Sequence, residues 1–292
     1  MNSRAGSAAA ARAALENVGG FEVHDVRPAM LAAEVRRAIE GGARRILVAG
    51  GDGTIGSAAS ALAGTKVELA ILPGGTLNHL AKDLKLPLDL ERAARVAHHG
   101  RAVSVDSAVV NDRIFLNTSS VGAYVSFVRL RERLERRLGY GVASVVAGFR
   151  LLVRMPTFRV TVQLEGKARD YITPLVFIGV GERELKLPTL GARIENGRRG
   201  LHVMVVRQRS GGRALALGMA AAARGVHAVA QTPALDAFVV DECTVQPHVP
   251  RIAVDGEIVS ATSPLVYRHV SGRLRVVAPV EEAERMSAEF NK

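Results

Sequence analysis

Nine residues constrain this chain most. Ile46-Leu47-Val48-Ala49 runs without a polar interruption into Gly50-Gly51-Asp52-Gly53-Thr54. An uninterrupted apolar run reads as a strand buried on both faces, the kind found in parallel sheets. The glycines allow tight turning and leave no side chains between backbone and ligand. Ile55–Leu62, made of small residues, reads as the helix that follows. Strand, glycine turn and helix start aim backbone N–H groups at one point, a geometry that suits a phosphate. Asp52 sits inside that turn, where a metal ion or a hydroxyl could reach it. The competing reading is an Asx-turn aspartate that caps the helix.

The same arrangement recurs a short way downstream. A strand from Lys66 or Val67 to Leu72 meets Pro73-Gly74-Gly75-Thr76, and Leu77–Leu84 reads as a helix. Both turns belong at the carboxyl edge of one parallel sheet, where open α/β sheets bind ligands. Around them the pattern predicts helices over Ala8–Asn17, Ala29–Glu40 and Leu90–His98, and a short strand over Phe21–Val26. No Gly-Lys-Ser/Thr follows either turn, so neither is a P-loop.

From Arg101 onward strands dominate. Val103–Asp106, Ala108–Val110, Arg113–Leu116, Phe158–Leu164, Thr173–Ile178, Leu201–Val206, Ala237–Thr244, Arg251–Val254, Leu265–Arg268 and Leu274–Val277 carry the signal. Many strands and few helices predict an all-β second domain. The helices are a basic one over Ser126–Leu138, an Ala/Leu/Met-rich one over Ala214–Arg224, and a polar one over Glu281–Phe290. Asp255 and Glu257 flank Gly256 in what reads, on residues alone, as a hairpin turn.

The net charge of +11 admits three readings. Nucleic acid is the weakest, because the aromatics that stack on single strands are scarce, at 4% of residues. An anionic membrane surface and plain solubility remain. Gly141–Phe149 and Ala214–Ala223 are too short to span a bilayer. One cysteine, Cys243, excludes an internal disulfide and a Cys-based zinc site, and the histidines show no metal-ligand spacing. The opening does not read as a signal peptide.

These segments, in this order, resemble the diacylglycerol kinase catalytic-domain family of bacterial lipid kinases, which is related to the sphingosine and ceramide kinases. Gly50–Thr54 is similar to its nucleotide motif and Leu72–Leu84 to its second motif. Asn2-Ser3-Arg4-Ala5-Gly6 looks like its opening Asn-Pro loop, with Ser3 for the proline. Val254-Asp255-Gly256-Glu257 matches its late Asp-Gly-Glu motif, and Pro264–Tyr267 and Gly272–Pro279 look like its closing strands. The chain departs from the family pattern at Tyr124, at Val180 and at Arg198-Arg199, all in the substrate region.

The resemblance implies an α/β plus all-β protein. A nucleotide-binding, Rossmann-like domain of the NAD kinase/phosphofructokinase type would span 1–101, and a β-sandwich substrate domain 102–280. Segment 281–292 is free to pack back on the first. ATP and magnesium (Mg²⁺) are the implied cofactors. Nucleotide contacts fall on Asn2, Gly50, Gly51, Asp52, Gly53, Thr54, Gly74, Gly75, Thr76 and Asn78. Asp255, Glu257 and Asp52 carry the catalysis, with Asp52 also the candidate near the metal. The implied partners are a lipid substrate and a peripheral anionic surface, with no nucleic acid, at the cytoplasmic face of an inner membrane. The family's first strand precedes its Asn loop, so the expected sheet lacks that strand, with Met1 an internal start or the chain a truncated copy. Two alternatives stay open: an inactive nucleotide- or lipid-binding homologue, and a kinase for NAD or another soluble alcohol.

Overall fold

The computed structural model describes residues 8–75, 78–153, 157–184, 192–194, 197–207, 235–247 and 251–290. In chain order the first elements are α1 (Ala8–Val18), α2 (Leu31–Glu40), β1 (Arg45–Gly50), α3 (Asp52–Leu62), β2 (Glu68–Pro73), α4 (His79–Asp83) and α5 (Leu90–His99). Then come β3 (Arg101–Val110), β4 (Arg113–Phe115), β5 (Thr118–Gly122), α6 (Ala123–Val153), β6 (Phe158–Leu164), β7 (Lys167–Thr173) and β8 (Leu175–Val180). The remainder are β9 (Arg183–Glu184), β10 (Ala192–Arg193), β11 (Leu201–Val206), β12 (Leu235–Val240), β13 (Glu242–Pro247), β14 (Arg251–Val254), β15 (Glu257–Ser260), β16 (Leu265–Ala278) and α7 (Val280–Phe290). The helix expected over Ala214–Arg224 lies outside the described residues.

The chain divides into two compact units. One comprises 1–107, 113–116 and 270–292; the other comprises 108–112 and 117–269. Two of the four divisions fall inside β3 and β16, and the other two flank β4.

In the first unit β1 and β2 run parallel, with Gly50 opposite Pro73, and β2 runs parallel to the end of β16 through Glu68–Arg275 and Leu69–Val276. β3 pairs with β16, and β4 with β3. The two-residue period sends alternate β2 side chains to opposite faces. Leu69 and Ile71 join a core with Leu31 and Val35 of α2, Ile55, Ala58, Ala59 and Leu62 of α3, and Ala283 of α7. Leu72 joins Ala11 and Leu15 of α1 and Ala93 and Ala94 of α5, while Ala70 meets Ala97. Helices cover both faces, which is why β1 and β2 read as continuous apolar runs. Alanines in α3 and α5 let the helices approach the sheet closely.

In β1 and β2 the charged residues, Arg45 and Glu68, stand at the first position of each strand. Arg45 Nε donates to Glu68 Oε2 at 2.8 Å, and Arg275 Nη2 to Glu68 Oε1 at 3.2 Å. Arg45 Nη1 also donates to the carbonyls of Ala97 and His98, both at 2.8 Å, so a β1 side chain satisfies the last turn of α5. Asp89 Oδ1 accepts from the Arg92 amide at the other end of that helix.

Several expectations are corrected. Phe21–Val26 is no strand; only Val26 makes an isolated bridge. Phe21 and Val23 pack through their side chains on the core that Ala11 and Leu15 of α1 form with Ala93 and Ala94 of α5. α3 begins at Asp52, earlier than Ile55, because Gly51 takes the extended N-cap position. Leu265–Arg268 and Leu274–Val277 are one strand. Gly272 takes a left-handed φ of 61° and its amide faces Asp106 Oδ1 at 3.4 Å, and the strand continues across the interval between those two segments. Ala237–Thr244 is two strands, broken at Asp241, that enter different sheets.

The second unit contains a six-stranded antiparallel sheet ordered β12-β11-β8-β5-β14-β15. A second ladder joins β7, β6, β13 and the start of β16, with Cys243 opposite Tyr267. Ile178, Val180, Leu201, Val203, Val245 and Ile252 are buried among their strands. Tyr267 is fully buried, and its hydroxyl lies 3.1 Å from Ser119 Oγ. β7, unforeseen in the sequence, exposes Lys167, Arg169 and Asp170, charges that suit its place at the end of the ladder. Among the described residues no helix is long and apolar enough to cross a membrane.

Candidate active site

The two glycine turns of the first unit meet backbone to backbone. Pairing of Gly50 with Pro73 carries both strands to the same edge, and the Gly74 amide donates to the Gly50 carbonyl at 2.9 Å. A Cβ on Gly75 would fall 2.6 Å from Gly51 Cα, and one on Gly51 would fall 3.2 Å from Gly75 Cα. Glycine is therefore a steric requirement at this crossing. A Cβ on Gly50 would strike Thr54 Cβ at 2.7 Å, so the Thr54 side chain closes over the strand end.

Asp52 is the first helical residue of α3, and the N-cap Gly51 is extended, with ψ 179°. The Asx-cap reading of Asp52 thus fails. Its Oδ1 instead faces the Leu80 amide of the second turn at 3.4 Å. The carboxylate is partly exposed and favoured by the helix dipole. The bond from the Ile55 amide to the Gly51 carbonyl, 3.0 Å, begins the helical ladder. The amides of Asp52 and Gly53 precede it and are directed beyond the helix start.

Asn78 closes the second turn. Its Oδ1 accepts from the Gly75 amide at 2.9 Å, and its Nδ2 donates to the Gly75 carbonyl at 2.8 Å. It adopts φ 48° and ψ 48°, a left-handed conformation that Asn tolerates better than most residues. Gly50–Thr54, Gly74, Gly75 and Asn78 are thereby brought together. Asn2 and Thr76 lie outside the described residues.

In the second unit Asp255 and Gly256 are the two central residues of a tight hairpin, with φ of 46° and 86° and Val254 opposite Glu257. Positive φ at both positions makes this a type I′ turn. Asp255 Oδ1 accepts from the amides of Asn117 at 2.9 Å and Thr118 at 3.0 Å, and the Asp255 amide donates to the Thr118 carbonyl at 2.8 Å. The carboxylate is thus clamped to the start of β5. Glu257 is exposed on the first position of β15.

Behind this turn lies a buried polar group that sequence reading missed. The Arg183 guanidinium donates to Asn117 Oδ1 and, through Nε, to the Val180 carbonyl at 3.0 Å. The Arg183 amide donates to His202 Nδ1 at 3.0 Å. Arg183 is 3% exposed, and Asn117 and His202 are also buried. Burial holds His202 below its ordinary pKa, and the Arg183 charge pushes the same way against Glu182. A neutral imidazole with its proton on Nε2 fits the bond it accepts at Nδ1. One cue in the sequence was a charged residue just past an apolar strand; nothing marked it as buried.

Comparison with known proteins places both turns within one matched span. Residues 2–110 match the diacylglycerol kinase catalytic domain. That span of the diacylglycerol kinase domain holds both turns and every nucleotide candidate. The chain is 35% identical over 154 residues to a protein of Cronobacter sakazakii named "Probable lipid kinase YegS-like", covering 50% of each. It is 26% identical over 199 residues to a diacylglycerol kinase of Staphylococcus carnosus, covering 66% of this chain and 64% of that one. The chain spans about half the length of the YegS-like curated relatives it matches. The crystal structure of a diacylglycerol kinase from Bacillus anthracis str. Sterne superposes with a TM-score of 0.62 at 18% identity, covering 88% of this chain and 84% of that one. At that identity the likeness is one of fold.

Proposed function

We propose that this protein is an ATP-dependent lipid kinase that moves the γ-phosphate of ATP to a lipid hydroxyl, diacylglycerol or similar, at a membrane surface. The observation that carries the reading is the contact of Gly51 with Gly75, which sets two amide-lined turns side by side within the matched domain. Residues 1–101 would be the nucleotide-binding domain and 102–280 a β-sandwich substrate domain. The amides of Gly50–Thr54 and Gly74–Thr76 would hold the phosphates, with Asn78 fixing the second turn and Asn2 adding a contact. The lipid oxygen bonds to the γ-phosphorus, the bond to the ADP oxygen breaks, and the hydroxyl proton passes to a carboxylate. Asp255 or Glu257 is the candidate acceptor.

Among the described residues no three Asp, Glu, His or Cys side chains group as a metal site. Magnesium is commonly held by one or two carboxylates plus substrate phosphates, so Asp52 together with ATP oxygens is a donor set that fits it. Bound there, Mg²⁺ would neutralise charge on the transferred group.

The clamp of Asp255 by two backbone amides favours a second reading, in which that aspartate is structural and the chain binds nucleotide or lipid without transfer. Incubation with labelled ATP, magnesium and total lipid extract separates the two, with Asp52→Ala as control. A labelled phospholipid made by the wild type and not by the variant supports the kinase. ATP binding with no transfer supports the inactive binder, and label on NAD moves the acceptor to a soluble alcohol.

A further inference from the structure

α6 follows the end of β5 and packs on β5 and β14. It carries six arginines against two glutamates. Arg129, Arg133 and Arg137 recur at every fourth position and are all exposed, while Arg131 pairs with Glu135 at 3.8 Å. Gly139, with φ 72° and ψ 164°, interrupts the helix. Beyond it the helix is apolar on two sides. Ala143 and Ala147 are fully buried on the inner side, whereas Val142 and Val145 are 55% and 72% exposed on the outer. Leu138, just before the break, is 45% exposed. Among the described residues seven large hydrophobics are exposed, and three of them fall within this one short stretch. Single exposed apolar residues are ordinary; a cluster marks a contact surface.

Charge selects the occupant. In a two-fold dimer this face would meet its own copy, setting arginines against arginines. A nucleic acid would answer the arginines and leave the valines in water. An anionic lipid surface answers both, with headgroups for the arginines and the acyl boundary for the valines. The helix is too charged and broken to cross, so it would lie along the surface. We infer that α6 docks the protein on anionic lipid, with Arg129, Arg133 and Arg137 at the headgroups and Leu138, Val142 and Val145 inserted below them. This deepens the lipid-kinase reading and rests on it for the purpose of the docking.

The test is flotation with phosphatidylcholine vesicles, with and without phosphatidylglycerol and free of diacylglycerol and ATP. Wild type should float with the anionic vesicles only. Val142→Asp with Val145→Asp, or Arg133→Glu with Arg137→Glu, should lower binding by about tenfold. Val145→Trp should raise it, a gain that misfolding cannot mimic. Wild type that stays unbound, variants that float like wild type, or a dimer that the aspartates dissociate would each overturn the inference. Diacylglycerol phosphorylation in detergent micelles is read in parallel. The aspartate variant should keep micelle activity and lose vesicle activity. Flotation as expected with no phosphorylation in either format leaves the docking standing and removes the kinase reading.

Discussion

Asp255 has one observed role and one proposed role, which a single substitution can separate. Its Oδ1 accepts two amides, from Asn117 and Thr118, and in the proposed transfer its carboxylate would take the hydroxyl proton. Asn keeps an acceptor and tolerates the left-handed turn, so Asp255→Asn should leave the melting temperature nearly unchanged while transfer falls by about 10²-fold or more. Asp255→Ala should also destabilise, because each stranded amide costs about 1–3 kcal/mol. Full activity in the asparagine variant would assign Asp255 to structure alone. At Gly75 the outcome is steric: Gly75→Ala should cost about 1–3 kcal/mol in denaturant unfolding and weaken ATP binding, since the obstructing atom is backbone. The glycine turns and Asp52 were legible in the sequence because their chemistry is local. The clamp on Asp255 was not, because its partners lie 137 and 138 positions away. Arg183 was missed for the same reason: burial is decided by β8 and β11 meeting across the sheet.

Among elements, β1, β2 and β16 are tied by Glu68, which takes Arg45 on one side and Arg275 on the other. All three side chains are partly exposed, so Glu68→Ala should cost only about 1 kcal/mol, read as a lowered midpoint in urea. Arg45→Ala should cost more, because the α5 carbonyls of Ala97 and His98 lose their donor too. Apolar runs identified β1 and β2 well, since both faces are buried. Phe21–Val26 carries a strand's composition, yet a strand needs a neighbour, and composition cannot supply one. Gly272 works in the opposite direction: it sits inside one strand that the sequence divides into two. The break at Asp241 was invisible, since residues on both sides are equally strand-like and only their destinations differ.

At the scale of the molecule, buried titratable groups set a pH window for the second unit. His202 is held below its ordinary 6.5, so the folded state binds fewer protons than the unfolded chain there. Stability from that site is full above about 6.5 and lost as pH falls through the folded pKa. Burial pushes the Cys243 thiol from 9.0 up to about 12, and burial raises Tyr267 in the same direction. Those contributions are full below 9.0 and lost as pH rises toward 12. Melting temperature against pH should therefore fall on both flanks, and His202→Gln should flatten only the acid one. Cys243 should resist maleimide until the protein unfolds.

The end of β16 adds a matter of timing. Leu274, Val276 and Ala278 fill the core beside Leu69 and Ile71, yet a ribosome adds them long after those partners. The glycine turns are synthesised before β16 and sit on a sheet that cannot finish until that strand emerges. A chain stopped at residue 264 should emerge insoluble, with the flank of β2 open to other strands. Fractionation of that truncated chain checks the point. Until β16 is made, the crossing of the two glycine turns rests on an unfinished sheet, so a message interrupted before β16 yields no finished first unit.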